Sequence, residues 1–420
     1  MKRKMITGER VMYVDAATPL NCVFTVKIKG SFSAEKLASA VAKVQQKHPF
    51  LRSVIKKNKQ VPYLLFSNTL SEIPVRVVDR LTDEDWKAES EIEWSKLFNQ
   101  DNTPLARVVW LKGKMVSELL LVCPHCICDG KSMVTLMAEL LQLLDHPEKK
   151  LINYLPFYSI ESLLSHRYNL TKRWKMRFLS CMVSCICLFK TGTKISPAGK
   201  SYMVHFKLDK ETVDGLKSAC KREETTIQAM LCAAFLTSFM EVKGENAHGQ
   251  AVIPVDIRKF VPEIKEDMMF AMAPTVEIAV DRQEVKGFWE KARALKETMN
   301  TKIAALDGRG SLLMSEYFSA DKIVAYLKSA EGTHDVTISN MGILDIAEQY
   351  DTFEVETIYS PTVAFPWRNP NTLIVSTFKG EMDFTFCSNN AFLSVQEAMA
   401  IQSYAVSMLL QETELAYAVQ

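Results

Sequence analysis

Eight consecutive residues, Cys123-Pro124-His125-Cys126-Ile127-Cys128-Asp129-Gly130, carry the chain's densest set of reactive side chains. Three chemistries can be built from them. Cys123-Pro124-His125-Cys126 has the CxxC form of a thiol–disulfide oxidoreductase. That pair needs its first cysteine at a helix N-terminus, where the helix dipole lowers the thiol pKa. Here the next helix is expected to open near Ser132, beyond the turn at Asp129-Gly130. The second chemistry is metal ligation by Cys123, His125, Cys126 and Cys128. A structural zinc site normally takes two ligand pairs well separated in sequence, and the other cysteine group, Cys181, Cys185 and Cys187, lies inside an apolar run. No metal is expected. The third takes His125 as a proton acceptor, because an unperturbed imidazole titrates near neutral pH. Asp129, four residues on, can fix the turn, and Gly130 allows a positive φ or the close approach of a ligand. Taken alone, H-x-x-x-D-G is short enough to arise by chance and reads as a buried structural histidine.

The elements around the motif must deliver that histidine to a sheet end. Glu118 to Cys123 reads as a strand running into it, and Leu105 to Leu111 as a neighbour. Beyond the turn, Met133, Leu136, Met137, Leu140, Leu141 and Leu144 recur at helical spacing, with Ser132 as the expected cap. Upstream, Val23 to Lys29 is a strand closed by Gly30, and Leu37, Val41 and Val44 mark a helix that stops at His48-Pro49. The second half repeats the style. Val204 to Leu208 is a strand, and Asp209 and Thr226 open two helices. Leu373 to Phe378 and Glu381 to Cys387 form a hairpin turning at Lys379-Gly380. Ser394 and Glu397 make a capping box for the last helix. The fold class is α/β, in two halves: 1–155 carrying the motif, 156–200 a basic, partly apolar linker, and 201–420 the second half.

The whole chain has 420 residues, of which 48% are hydrophobic, enough for one large core or two. Its 51 Lys+Arg against 49 Asp+Glu disfavour nucleic acid as a partner. No apolar run approaches the roughly 18–20 residues of a membrane span, and Met1-Lys2-Arg3-Lys4 has no apolar stretch behind it. A cytoplasmic protein with reduced thiols is expected. One segment departs from the balance. From Ser162 to Leu208 there are nine Lys/Arg and no Asp or Glu, so the remainder holds 42 basic against 49 acidic residues. The run Phe178 to Phe189 sits inside it. The residues fit a packed linker or a peripheral membrane contact through 167–190. The small, core-like Cys181, Cys185 and Cys187 favour packing.

H-x-x-x-D-G does not stand alone. Glu9-Arg10, Lys47-His48-Pro49-Phe50-Leu51-Arg52, Thr225 to Ala234, Pro254-Val255-Asp256-Ile257-Arg258-Lys259, Phe288-Trp289 and Ser339-Asn340-Met341-Gly342 follow in order. With His125-x-x-x-Asp129-Gly130 they resemble the acyltransferase superfamily that contains chloramphenicol acetyltransferase, peptide-synthetase condensation domains, alcohol acetyltransferases and plant acyl-CoA-dependent acyltransferases. The resemblance covers most of the chain. Pro124 stands where many members carry a first histidine, which argues against condensation-domain function, although the plant branch also lacks it. That branch's D-F-G-W-G signature has no counterpart, and Pro366-Trp367 is not one. The nearest style is that of alcohol acetyltransferases and free-standing condensation-like acyltransferases.

The resemblance implies a pseudo-dimer of two similar sheet-plus-helix halves with a tunnel between them and His125 at its middle. It implies an acyl-CoA-dependent O- or N-acyltransferase in which His125 is the general base. Asp129, Gly130 and Arg258 would be structural at the site, Asp129 pairing with Arg258, and Ser339 and Asn340 would be oxyanion candidates. The co-substrate would be acyl-CoA or an acyl-carrier protein, with no permanently bound cofactor. The acceptor would be a small-molecule alcohol or amine. A non-catalytic relative that uses the tunnel as a binding module is the alternative. His48, His166, His205 and His334 lack such context and are read as structural or exposed.

Overall fold

The structure is a computed structural model that describes residues 1–58, 61–98, 103–164, 170–190, 199–281, 287–330 and 332–417. The first half runs β1 (Lys2–Lys4), α1 (Thr7–Tyr13), β2 (Asn21–Gly30), α2 (Ala34–Lys47), β3 (Ser53–Asn58), β4 (Val61–Phe66) and β5 (Val75–Asp79). It continues through α3 (Asp85–Ser95), β6 (Arg107–Lys112), β7 (Val116–Pro124), α4 (Gly130–Asp145), α5 (Ile160–Leu163) and α6 (Leu170–Lys190). The second half opens with β8 (Ser201–Leu208), α7 (Lys210–Arg222), α8 (Ile227–Lys243), β9 (Gln250–Pro254), β10 (Thr275–Ala279) and α9 (Phe288–Ala304). Then come α10 (Gly308–Met314), α11 (Ala320–Ser329), β11 (Val336–Ile343), β12 (Phe353–Val363), β13 (Thr372–Phe378), β14 (Glu381–Asn389) and α12 (Val395–Tyr417).

Each half is built on one large sheet covered by helices. The first has five strands in the order β12-β2-β7-β6-β5, and the second has six in the order β10-β9-β11-β13-β14-β8. A small three-stranded sheet, β1-β4-β3, flanks the first. Local signals set the elements. Asp209 and Thr226 accept the capping bonds of α7 and α8. Lys379 and Gly380 both take positive φ, the backbone of a two-residue hairpin turn between β13 and β14. Ser394 and Glu397 exchange the two bonds of the capping box.

The halves are less separate than the chain order suggests. β12 lies in the 201–420 stretch, yet it pairs antiparallel with β2 and completes the first sheet. Gly30 makes the junction feasible: its φ is +120°, and a Cβ there would sit 2.8 Å from the Phe353 Cα. The strand covers an edge that would otherwise expose unpaired backbone groups. Its other side is tied to the second sheet, where the Ser360 N–H donates to Asp383 at 2.6 Å and its hydroxyl meets Ser376 at 2.8 Å. Ile257, Val261, Met268 and Phe270 likewise pack into the core of the first half.

A buried polar cluster adds a second tie. The Lys47 ammonium bonds both Glu139 on α4 and Asp267 of the second half, and His48 Nε2 meets Glu139 at 2.8 Å. His48 is therefore structural, as is His205, which holds Asp383 at 2.7 Å. His166 lies outside the described residues.

The 156–200 stretch is helical over α6, which packs against α10 and α11. Met176 and Ser180 are buried, whereas Trp174, Phe178, Cys181, Met182 and Ile186 are exposed. The packing expected from Cys181 is thus not seen at that residue. Arg167 and Lys194, and the side chains of Lys172, Arg173, Cys185, Cys187 and Lys190, lie outside the described residues.

Candidate active site

β7 runs into the motif and stops at Pro124, whose partner across the ladder is Asn21 on β2. A tight 3-10 turn over His125–Ile127 follows. The His125 N–H donates to Leu20 O at 2.8 Å and anchors that turn. The imidazole Nδ1 lies 2.9 Å from Cys128 O. A carbonyl can only accept, so Nδ1 carries a hydrogen, and in the neutral ring Nε2 is the proton acceptor. The ring is partly accessible and faces Phe365, with centroids 5.7 Å apart, and Phe365 stacks in turn on Trp367.

Asp129 does different work. It is the N-cap of α4: its Oδ1 accepts from the Ser132 N–H at 2.8 Å and from the Ser132 hydroxyl at 2.6 Å. The expected cap, Ser132, is instead a partner of the true one, three residues earlier. Asp129 Oδ2 accepts from Arg258 Nη1 at 2.7 Å. The guanidinium also donates to Asp256 at 3.1 Å and to Met268 O at 2.7 Å. Its side chain is only 1% exposed against 16% for Asp129, so a fixed ion pair crosses between the halves. Burial lowers the Arg258 pKa, but the two carboxylates outweigh it and keep the cation charged.

Gly130 is the first residue of α4 and does not take a positive φ. Its small size matters for another reason: a Cβ would lie 3.1 Å from Met341 Cε and 3.4 Å from Sδ. That contact brings the Ser339-Asn340-Met341-Gly342 element of β11 against the motif. Asn340 Oδ1 accepts from the Gly342 N–H at 2.9 Å, beside the irregularity in the β11–β13 pairing and with Gly342 at φ +68°. The Ser339 hydroxyl makes no hydrogen bond to protein among the described residues.

The site also includes a residue the motif does not point to. Cys22, on β2 opposite Cys123, is buried and interacts with the Cys128 thiol and the His125 ring. The neighbouring Cys128 thiol lowers the Cys22 pKa, burial opposes it, and the His125 charge lowers it further, to about 5. For His125, burial alone would lower the pKa; the nearby Cys22 thiolate outweighs that and carries it to about 9. Burial pushes the Cys126 and Cys128 thiols well above their ordinary range. That is opposite to what a reactive CxxC requires, and Cys123 lies on a strand, away from any helix N-terminus. Neither Cys22 nor Phe365 carries a sequence signal of its role; Cys22 simply precedes an apolar strand. A cleft of about 220 Å³ opens against Pro124 and Cys126, between Tyr13, Asn21, Lys57 and Phe98.

Residues 13–253 match the condensation domain family, and residues 197–404 match the C-terminus of phthiocerol/phthiodiolone dimycocerosyl transferase. Among curated proteins, surfactin synthase subunit 1 of Bacillus subtilis (strain 168) is 24% identical over 256 residues, 57% of this chain and 7% of that protein. Cyclosporin synthetase of Tolypocladium inflatum is 24% identical over 227 residues, 52% of this chain and 2% of that protein. The chain thus spans less than a tenth of either relative's length. Trichothecene 15-O-acetyltransferase from Fusarium sporotrichioides has a similar fold, with a TM-score of 0.74, 16% identity, and coverage of 98% of this chain and 95% of that one. Polyketide synthase associated protein 5 from Mycobacterium tuberculosis gives 0.69 at 16% identity, covering 97% and 98%. The first condensation domain of the CDA synthetase gives 0.72 at 13% identity, covering 98% and 96%. Two sheet-plus-helix halves, one His-to-Asp-Gly turn braced across them and a family match over more than half the sequence lead to one assignment: the chain belongs to the condensation domain family, within the chloramphenicol acetyltransferase-like superfamily.

Proposed function

We propose that the chain is an acyltransferase that moves an acyl group from a coenzyme A or carrier-protein thioester to the hydroxyl or amine of a small acceptor. The observation that carries this reading is the His125 imidazole, whose Nδ1 is committed to the Cys128 carbonyl, so that Nε2 is the atom that takes a proton when the ring is neutral. The acceptor gives its proton to Nε2 as its oxygen or nitrogen attacks the thioester carbonyl. The tetrahedral intermediate then expels the thiolate, which recovers the proton from His125. General-base assistance of this kind is worth about 10²–10⁴-fold, with positioning and oxyanion stabilisation supplying the rest. Ser339 is the stronger oxyanion donor of the two candidates, since its hydroxyl is uncommitted while the Asn340 carbonyl oxygen holds the Gly342 turn. The likeness to an O-acetyltransferase supports an oxygen acceptor, and the likeness to peptide synthetases supports a carrier-borne donor.

Incubating the purified protein with a panel of acyl-CoA and acyl-carrier thioesters and candidate alcohols and amines tests the reading. Acylated product and free thiol should appear together, and both should vanish in His125→Ala. Thioester binding without turnover across the panel would favour the binding-module alternative.

A further inference from the structure

α6 packs against α10 and α11 and buries Met176 and Ser180, while the described residues on the side opposite these two are exposed. On that side Trp174, Phe178, Met182 and Ile186 recur every four residues and are between 49% and 69% exposed. At 100° per residue these four cover an arc of roughly 120° along just over three turns of helix. Lys175 lies within the arc and Arg177 about 60° outside it, both exposed. Neither meets a carboxylate among the described residues; Arg177 sits over the Tyr317 ring, 5.4 Å from its centroid. A continuous Trp–Phe–Met–Ile stripe is costly to leave in water and marks an interaction surface.

The charge pattern selects the partner. The helix lies in the 162–208 stretch, whose nine basic residues have no acid beside them in sequence. Lys200 and Lys207 pair with Glu91 and Glu381, whereas Lys175 and Arg177 on α6 do not meet a carboxylate among the described residues. A second copy of the same helix would bring like charges together. An anionic bilayer instead takes an apolar stripe below its headgroups while cations remain at headgroup level. Crossing the bilayer is a different matter: among the described residues no single helix is long and apolar enough to do so.

We propose that α6 is an interfacial helix that seats on the surface of an anionic lipid bilayer through Trp174, Phe178, Met182 and Ile186, with Lys175 and Arg177 at the headgroups. Co-sedimentation of the full chain with phosphatidylcholine vesicles, with and without phosphatidylserine, tests this. The chain should sediment with the phosphatidylserine vesicles at low salt, less as salt rises, and far less with phosphatidylcholine alone. Lys175→Gln/Arg177→Gln should weaken partition by about 25-fold, at roughly fivefold per charge. Trp174→Ser/Phe178→Ser should weaken it by at least about tenfold. Because all four positions are exposed, the thermal melts of both variants should match the parent. Failure of the parent to sediment at low salt, or equal sedimentation of parent and apolar variant, would overturn the proposal. So would lipid-independent self-association abolished by Trp174→Ser/Phe178→Ser without vesicle binding, which would assign the stripe to a second copy.

Discussion

His125 and Asp129 sit four residues apart in one motif, yet they are held in opposite ways. Asp129 is saturated: a cap bond, a serine hydroxyl and a bidentate guanidinium use both carboxylate oxygens. His125 is fixed through one ring nitrogen and its backbone, and the second nitrogen is not committed to a backbone partner. The contrast separates two jobs that a triad would join. In a triad the aspartate orients the histidine; here a backbone carbonyl does so, and the aspartate is spent on joining the two halves. Chemistry should therefore be lost at His125 with the fold intact, and the fold should suffer at Asp129.

The largest effect is expected at His125. Replacement by Ala should cost about 10²–10⁴-fold in transfer rate with an unchanged melting profile. Full turnover by a folded His125→Ala protein would remove the general-base role and erase the contrast.

Asp129→Ala should act on stability. Breaking a buried ion pair costs about 3–5 kcal/mol, because the remaining charge stays buried without its partner. Arg258 would keep Asp256 and the Met268 carbonyl, which argues for the lower end of that range even after the lost helix cap is added. Urea denaturation measures it. A loss below about 1 kcal/mol, the scale of an exposed pair, would mean that the brace is not needed.

Cys22 sharpens the comparison through pH. A general base works only as the neutral imidazole, so the rate should rise with pH through the His125 pKa, about 9, and level above it. Cys22→Ala removes the negative charge that raises this pKa and leaves burial, which lowers it. The acid limb of the kcat/KM profile should then move down, to or below the ordinary histidine value near 6.5. At neutral pH the variant should be faster than the parent. An unmoved limb would show that the thiol does not set the histidine's charge.

These effects bear on how much was legible from residue order. The helices and strands around the motif were, because their apolar periodicity, caps and turn residues are local signals: Asp209, Thr226, Lys379-Gly380 and Ser394/Glu397 all sit where their chemistry predicts. His125 was legible because a short motif and several flanking elements agree. Three things were not. β12 joins the first sheet through a pairing more than 300 residues distant, from Phe353 to Gly30, and nothing local announces it. Cys22 meets His125 only because β2 and β7 are neighbours, so its role belongs to the sheet and not to its own sequence context. The exposed stripe on α6 has a hydrophobic composition that also suits a packed linker, and only the placement of α10 and α11 decides which face is covered.

The smallest expected effect separates the two oxyanion candidates. Asn340 uses its carbonyl oxygen to hold the Gly342 N–H at 2.9 Å, where the β11 backbone turns out of register with β13. Asn340→Ala removes one such bond from a half-buried position, which should cost about 0.5–1.5 kcal/mol of stability. Gly342 keeps its positive φ by its own freedom, so the turn should survive and the transfer rate should change by less than about threefold, well below the 10²–10³-fold loss of an oxyanion donor. Ser339→Ala is the paired measurement, because its hydroxyl has no structural bond to lose. If Asn340→Ala instead loses two orders of magnitude in kcat with an unchanged melt, its side-chain N–H is the donor to the developing oxyanion. The Ser339-Asn340-Met341-Gly342 element would then belong with His125, on the chemical side of the comparison.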